Sequence, residues 1–474
     1  MVSRVAFAGL PSSRHPGLRQ ACAWLIVVAG VAFPVSARAE TLEEALARAY
    51  QTSPQLNAER AKQRGTDENV PQALAGYRPQ IMASLSAGLQ AVRDLFPGNT
   101  LQTATLRPWT IGVTVNQVLF NGNKTANSVR VAEFQVMSER EALRNVGQGV
   151  LLDAVTAYMN VMANNALYES QRTNVDVLRE ILATTKRRLN AGDVTPTDTA
   201  QAEARLSRGQ ADLNAAEVAL AISKEIYRQV IGDAPSHLQP AMPVDRLAPV
   251  TQVAAVDTAS HEHPAVLGAG YDVDVAQTSI RVAESALLPT VSAQVSASRS
   301  VETDTSLTTT STDQASILGQ VNVPIYDGGT AASQTRQAKE MASQSRLVLE
   351  QVRNQTRTAV VSAWVTNEGT KVALKAAESE VHAADVALQG VRRENQGGQR
   401  TTIDVLNAQQ DLTNARTRQI TAQRDRVIAS YTLLGAVGRL DVHNLNLATP
   451  DYLPEVHYHQ VRDAWHGLRT PSGQ

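Results

Sequence analysis

The chain has 474 residues with 44 Lys and Arg against 45 Asp and Glu, a net charge of −1, and so balanced a charge removes any bulk electrostatic case for nucleic-acid binding. Hydrophobic residues are 43% of the chain and aromatics 4%, which excludes wholesale disorder yet is thin in rings for a compact core of this size; it suits long helices packed through Ala, Leu and Val. A single Cys excludes a disulfide scaffold, a Cys-based zinc site and an iron–sulfur cluster.

Residues 1–20 carry Arg4, Arg14 and Arg19 and no acid, residues 21–33 are apolar, Pro34 breaks the run, and Ala37-Arg38-Ala39 follows. This is the pattern of a secretory signal peptide, 1–39, cleaved near Ala39. Cys22 stands at the start of the apolar run, poorly placed for lipid attachment. The mature chain is therefore expected to work outside the cytoplasm. No later run of 18 apolar residues offers a membrane-spanning helix.

The rest is written twice. Val115–Gly122 (VNQVLFNG) matches Val321–Gly328 (VNVPIYDG), and Gly192, Asp198, Ala202 and Leu206 match Gly398, Asp404, Ala408 and Leu412, in both cases 206 residues on. The domain reading is a first repeat over 40–257, a second over 258–440, and a C-terminal periplasmic extension over 441–474. Each repeat opens with a helical stretch, 41–76 or 258–287. Ser53 before Pro54 provides an N-cap followed by Pro at the first helical position.

Two stretches of strict alternation come next in each repeat. Ile81, Ala83, Leu85, Ala87, Leu89 and Ala91 alternate over 81–91, and Trp109, Ile111, Val113 and Val115 over 109–115. The second repeat has Val291, Ala293, Val295 and Ala297, then Ile317, Gly319, Val321 and Val323. This period of two predicts strands with one apolar and one polar face. The segments between them, 93–108 and 299–314, are rich in Thr, Ser, Asp and Gly and read as exposed loops.

No proline interrupts the chain from Pro108 to Pro196 or from Pro324 to Pro450. Helix over 124–190 would run about 100 Å at about 1.5 Å per residue. Glycine turns follow, at Gly192 and at Gly397-Gly398, and the chain reverses into helices over 197–231 and 402–437. Such helices alone would suggest a soluble coiled coil or periplasmic adaptor, but the strand pairs between them argue otherwise. Four strands cannot close a barrel, and an open edge in lipid costs several kcal/mol per unpaired backbone group. Pooling strands among three copies gives twelve, an even-numbered barrel wide enough to hold water. The fold class read from the residues is thus mainly α with membrane β, an internally duplicated chain whose three copies form a 12-stranded β-barrel.

The mature chain resembles the TolC family of outer-membrane export ducts over about 41–440. The turn Gly398-Gln399-Arg400-Thr401-Thr402-Ile403-Asp404-Val405-Leu406-Asn407-Ala408-Gln409 carries the resemblance most specifically. Gly192-Asp193-Val194-Thr195-Pro196-Thr197-Asp198 and Thr41-Leu42-Glu43-Glu44-Ala45-Leu46 support it. The resemblance implies a homotrimer in the outer membrane, its trimeric 12-stranded β-barrel continued by a long 12-helix α-barrel across the periplasm, that docks on a periplasmic membrane-fusion adaptor and an inner-membrane ABC transporter. The sequence has no nucleophile elbow, phosphate loop or paired catalytic carboxylates, so no enzyme activity and no cofactor are expected.

It also implies an iris where the helix hairpins converge at the periplasmic end. Asp404 matches a carboxylate pointing into the constriction, a ring of three acids in the trimer. Arg400 matches a basic residue that ties the turn to the neighbouring helix pair, with Thr197 and Asp198 at the acceptor positions. Capping explains Asp198 and Asp404 equally well on local grounds, since a carboxylate is favourable at a helix N-terminus. Asn407 and Asn395 depart from the family, which has a second acid and often a tyrosine there. Both changes point to a less cation-selective and more easily opened constriction.

His261-Glu262-His263 precedes Pro264 at a helix start and is a poor metal site, and the tail with His443, His457, His459 and His466 reads as a packed or mobile extension. The functional expectation is type I secretion of a protein, with a large toxin of the RTX or adenylate cyclase–haemolysin kind as cargo. The alternatives are multidrug efflux and a periplasmic adaptor without a pore.

Overall fold

A computed structural model describes residues 40–96, 100–303 and 309–471; the expected signal peptide lies outside the described residues. The first helical stretch is three helices, α1 (Leu42–Thr52), α2 (Pro54–Asp67) and α3 (Asn69–Leu74). Thr41 and Glu44 form a reciprocal capping box on α1, and the Ser53 side chain accepts from the Leu56 N–H at the start of α2. The strands β1 (Gln80–Ala87), β2 (Gln90–Phe96), β3 (Thr100–Leu106) and β4 (Trp109–Asn121) follow.

The expected strand over 81–91 is therefore two strands parted at Gly88-Leu89, and the expected loop over 93–108 is largely a β-hairpin. The reason is propensity: Thr100, Thr103, Thr105 and Val92 are β-branched, and their backbone groups find partners across the hairpin. In the second repeat the strands likewise reach further into the loop than the alternation suggests, with β5 at Thr290–Thr303 and β6 at Thr309–Asn322.

β1, β4, β5 and β6 form one antiparallel sheet in the order β1-β4-β5-β6, while β2 and β3 pair only with each other. The register aligns the alternation across all four strands. One row is Ile81, Val115, Val295 and Ile317, and the next is Ala83, Val113, Ala297 and Ala315. The opposite face carries Ser84, Gly112, Ser298 and Gln314. The apolar rows are left uncovered in the protomer: Ile81 is 69% exposed, Leu85 73% and Ile317 83%. A water-soluble sheet would bury these residues first.

The helical part is α4 (Lys124–Asn190), α5 (Pro196–Ile231), α6 (Gln252–Glu262), α7 (Pro264–Glu284), α8 (Thr330–Gln396), α9 (Thr402–Val437) and α10 (Pro454–Val461). The second helical stretch begins at Gln252 rather than 258, because the Thr251 side chain caps it there. α4 and α8 have 67 residues each and α5 and α9 have 36 each, so the duplication is preserved element by element. α4 pairs with α5 and α8 with α9, and α7 lies against both α4 and α8.

The main apolar core sits midway along α4 and at the C-terminal ends of α5 and α9, where Leu42 and Leu46 of α1 meet Leu151, Val155 and Tyr158 of α4, Tyr227 and Ile231 of α5, and Tyr431 and Leu434 of α9. Tyr158 donates to the backbone oxygens of Glu40 (2.9 Å) and Gln239 (2.8 Å), and burial pushes its phenol up to about 12. Nearby, buried Arg426 of α9 binds Asn367 of α8 (2.9 Å) and Asp245 of the inter-repeat linker. The link between the repeats is thus fastened to the second hairpin.

Of the two readings for the tail, packing is the one observed. Tyr452 donates to Gln63 (3.1 Å), and His457 contacts the fully buried Asp67 of α2 (2.9 Å). Burial raises the Asp67 carboxyl despite this partner. Glu262 forms a two-point ion pair with Arg439 (2.8 and 2.9 Å), and His263 caps α7. No cluster of His, Cys, Asp and Glu among the described residues could hold a metal ion.

Candidate functional site: the tips of the helix hairpins

Both hairpin turns are built alike. At the end of α4 the Asp193 N–H donates to the Arg188 carbonyl (2.9 Å) and the Gly192 N–H to Leu189 (3.0 Å). At the end of α8 the Gln399 N–H donates to Glu394 (2.9 Å) and the Gly398 N–H to Asn395 (3.1 Å). This double closure needs a left-handed residue, supplied by Gly192 (φ +83°) and Gly398 (φ +75°). Gly397 has φ −82° and is the last turn's cap rather than the reversing residue.

Each second helix then starts on a capping box. Oδ2 of Asp404 accepts from the Thr401 N–H (2.9 Å) and hydroxyl (2.8 Å), and Oδ2 of Asp198 accepts from the Thr195 N–H (2.9 Å) and hydroxyl (2.8 Å). The backbone bond from Thr401 or Thr195, then the hydroxyl bond, holds each carboxyl below its ordinary range. Oδ1 of each has no hydrogen-bond partner among the described residues. Capping therefore uses one oxygen and leaves a full negative charge at the tip.

Arg400 turns back on its own hairpin and pairs with Glu394 (3.0 Å). Within one protomer it does not meet Thr197 or Asp198, because Glu394 is the near carboxylate and Asp198 is held by Thr195. The ties between the two hairpins are others. Arg188 of α4 donates to the Asn395 side-chain oxygen of α8 (3.3 Å), and Arg205 of α5 donates to that of Asn407 of α9 (2.9 Å). Asn395 also donates to the Arg400 carbonyl (2.8 Å). Asn395 and Asn407 are thus the acceptors of these two arginine contacts between the hairpins.

Sequence reading missed Arg188 and Arg205, since arginines on an exposed helix face carry no local sign of a partner about 200 residues away. Behind these ties, Leu178, Ala202 and Leu406 form a small apolar core between the hairpins. Next to it, buried Gln409 and Thr413 both donate to Asn174 of α4 (3.1 Å each). Arg392 donates to Gln409 in turn (3.0 Å).

A sheet with an uncovered apolar face, set on helices about 100 Å long that end in charged, mutually tied tips, fits a membrane channel as its class. The comparisons agree. The outer membrane efflux protein family profile matches residues 45–233 and 255–439, and the chain belongs to this family. It is 39% identical over 439 residues to the outer membrane efflux protein BepC of Brucella suis, covering 93% of this chain and 94% of that one. It is 25% identical over 326 residues to the alkaline protease secretion protein AprF of Pseudomonas aeruginosa, covering 67% of each. Among solved structures, the CmeC outer membrane channel of Campylobacter jejuni superposes with a TM-score of 0.74 at 13% identity over 89% of both chains. The protein is an outer-membrane efflux or secretion channel of the TolC family.

Proposed function

We propose that three copies close the sheet into a 12-stranded barrel and that their helix hairpins form a passive duct across the periplasm, gated at the tips. The supporting observation is the sheet itself. Its outer edges, β1 and β6, have no further partner strand among the described residues, while its apolar rows are uncovered. Pairing β6 of one copy with β1 of the next satisfies those edges, and lipid covers the apolar rows.

At the gate, three Asp404 carboxylates would ring the constriction, attract cations and disfavour anions. With Asn407 in place of a second acid, the ring is reduced to three charges. Arg188–Asn395 and Arg205–Asn407 hold the two hairpins of each copy together, and Arg400, Thr197 and Asp198 are left to act between copies. Opening then requires the hairpins to part.

The duct is driven from the inner membrane through a periplasmic membrane-fusion adaptor and an ABC transporter. The cargo we propose is a secreted protein of the toxin class, supported by the turn sequence at 398–409 and by the protease-secretion relative. Small-molecule efflux is the second reading, favoured by the higher identity to a protein named for efflux. A deletion strain separates them. Loss of one secreted protein with unchanged drug susceptibility supports secretion, and the reverse supports efflux. A purified chain that is monomeric, water-soluble without detergent and non-conducting would overturn the duct.

A further inference from the structure

The tail follows a definite path along α4. Glu455 lies 3.6 Å from Arg140, and Arg462 lies 3.8 Å from Glu133, seven residues nearer the sheet. Arg78 then donates to the Ala464 carbonyl (2.7 Å) and stacks over the Trp465 ring at 4.8 Å. Arg78 is two residues before β1, so the tail arrives at the base of the membrane-facing sheet. There it presents large apolar side chains to the outside: Trp465 is 69% exposed and Leu468 fully so, with Tyr77 (53%) beside Arg78.

A cleft of about 320 Å³ opens at the same level. Arg78, Lys124, Gln80, Asn116 and Asn121 line it, and no acid does. Trp prefers the boundary between headgroups and acyl chains, where its ring is apolar and its N–H stays wet. Cationic side chains beside it complement lipid phosphate.

We propose that residues 462–471 dock on the periplasmic phospholipid leaflet of the outer membrane, with Trp465 and Leu468 entering the headgroup–acyl boundary and the cleft at Arg78 and Lys124 taking a lipid phosphate. The proposal rests on the membrane reading of the sheet. It deepens that reading by assigning the tail to the same lipid surface. Asp463, the acid of this stretch, lies 4.0 Å from Arg462, which offsets its charge. The tail so fixed acts as a foot at the barrel's lower rim.

Tryptophan quenching tests both readings separately. In a Trp24→Phe background, three variants each keep one of Trp109, Trp364 and Trp465, the others being replaced by Phe. They are reconstituted in vesicles of phosphatidylcholine and phosphatidylglycerol, with circular dichroism confirming the helical fold. Trp109 on the sheet should be quenched by brominated lipid and Trp364 on α8 should not. If Trp109 is not quenched, the membrane reading itself fails.

Trp465 should be blue-shifted and lose more emission to bromines near the headgroup than to bromines deep in the chain. The loss should shrink in the added variant Arg78→Gln. Quenching of Trp465 by aqueous iodide but not by bromolipid would leave it in water. Quenching by neither would place it under a neighbouring copy. Either result overturns the foot. Leu468→Cys with an environment-sensitive label, in a Cys22→Ser chain keeping all its tryptophans, reads the same depth independently.

Discussion

Asp404 combines two roles that compete in many helices. Its Oδ2 closes the α9 capping box, and its Oδ1 remains available at the tip. Because the Thr401 bonds favour the ionised form, the carboxyl titrates below its ordinary range. The cap's contribution is therefore complete above the unfolded carboxyl's pKa and is lost only as pH falls through the depressed folded value. Cation preference, read as reversal potential in planar bilayers, should accordingly fall as acid protonates Asp404, the Thr401 bonds opposing protonation and the repulsion among three carboxylates favouring it.

Block by divalent or cobalt-ammine cations should be weak, because Asn407 leaves the ring with three acids, and Asp404→Ala should reduce the cation preference and abolish that block. Strong block that persists in this variant would remove Asp404 from the constriction. Arg205→Ala and Asn407→Ala should each raise the open fraction, and the double variant should do no more than either single. The tie is exposed, so the shared coupling should be below about 1 kcal/mol.

At the scale of elements, the two strand-to-helix corners solve one problem twice. Gly122 and Asn123 before α4, and Gly328 and Gly329 before α8, all take left-handed φ between +63° and +88°. Asn121 and Asp327 then cap the helices by accepting from the N–H groups of Thr125 and Ala331. The surroundings differ. A Cβ on Gly122 would meet the Leu288 Cβ at 2.7 Å and the Ser285 carbonyl at 2.9 Å, while one on Gly328 meets nothing within 4 Å. Gly328→Ala should therefore cost only the conformational penalty of about 1–2 kcal/mol. Gly122→Ala should cost more and lower the yield of assembled channel, measured by thermal dissociation of the purified protein.

For the whole molecule, the decisive test is which side of the sheet meets lipid. Ile317 and Ser316 are adjacent on β6 and face opposite ways. Ile317→Lys should cost about 2–4 kcal/mol if it lies near the bilayer midplane and deplete the outer-membrane fraction. Ser316→Lys should assemble normally and shift conductance. Equal tolerance at both positions would mean that the sheet does not divide lipid from water.

Sequence alone determined what repeats along the chain. The strand alternation, the proline-free helices and the 206-residue duplication are all local periods, and a period follows from which face of an element must be apolar. It also placed Gly192, Gly398, Asp198 and Asp404 in their turns, because positive φ and helix capping are demands of a few adjacent residues. The β2–β3 hairpin was hidden because Arg93-Asp94 breaks the alternation in β2 and β3 carries Thr100, Thr103 and Thr105 in place of a strong apolar stripe. Only the tertiary structure decided that Arg205 meets Asn407, that Arg188 meets Asn395, and that the tail climbs to Arg78. Those contacts join residues about 200 to nearly 390 apart, and no local pattern fixes the partner of an exposed arginine until packing has chosen its neighbours.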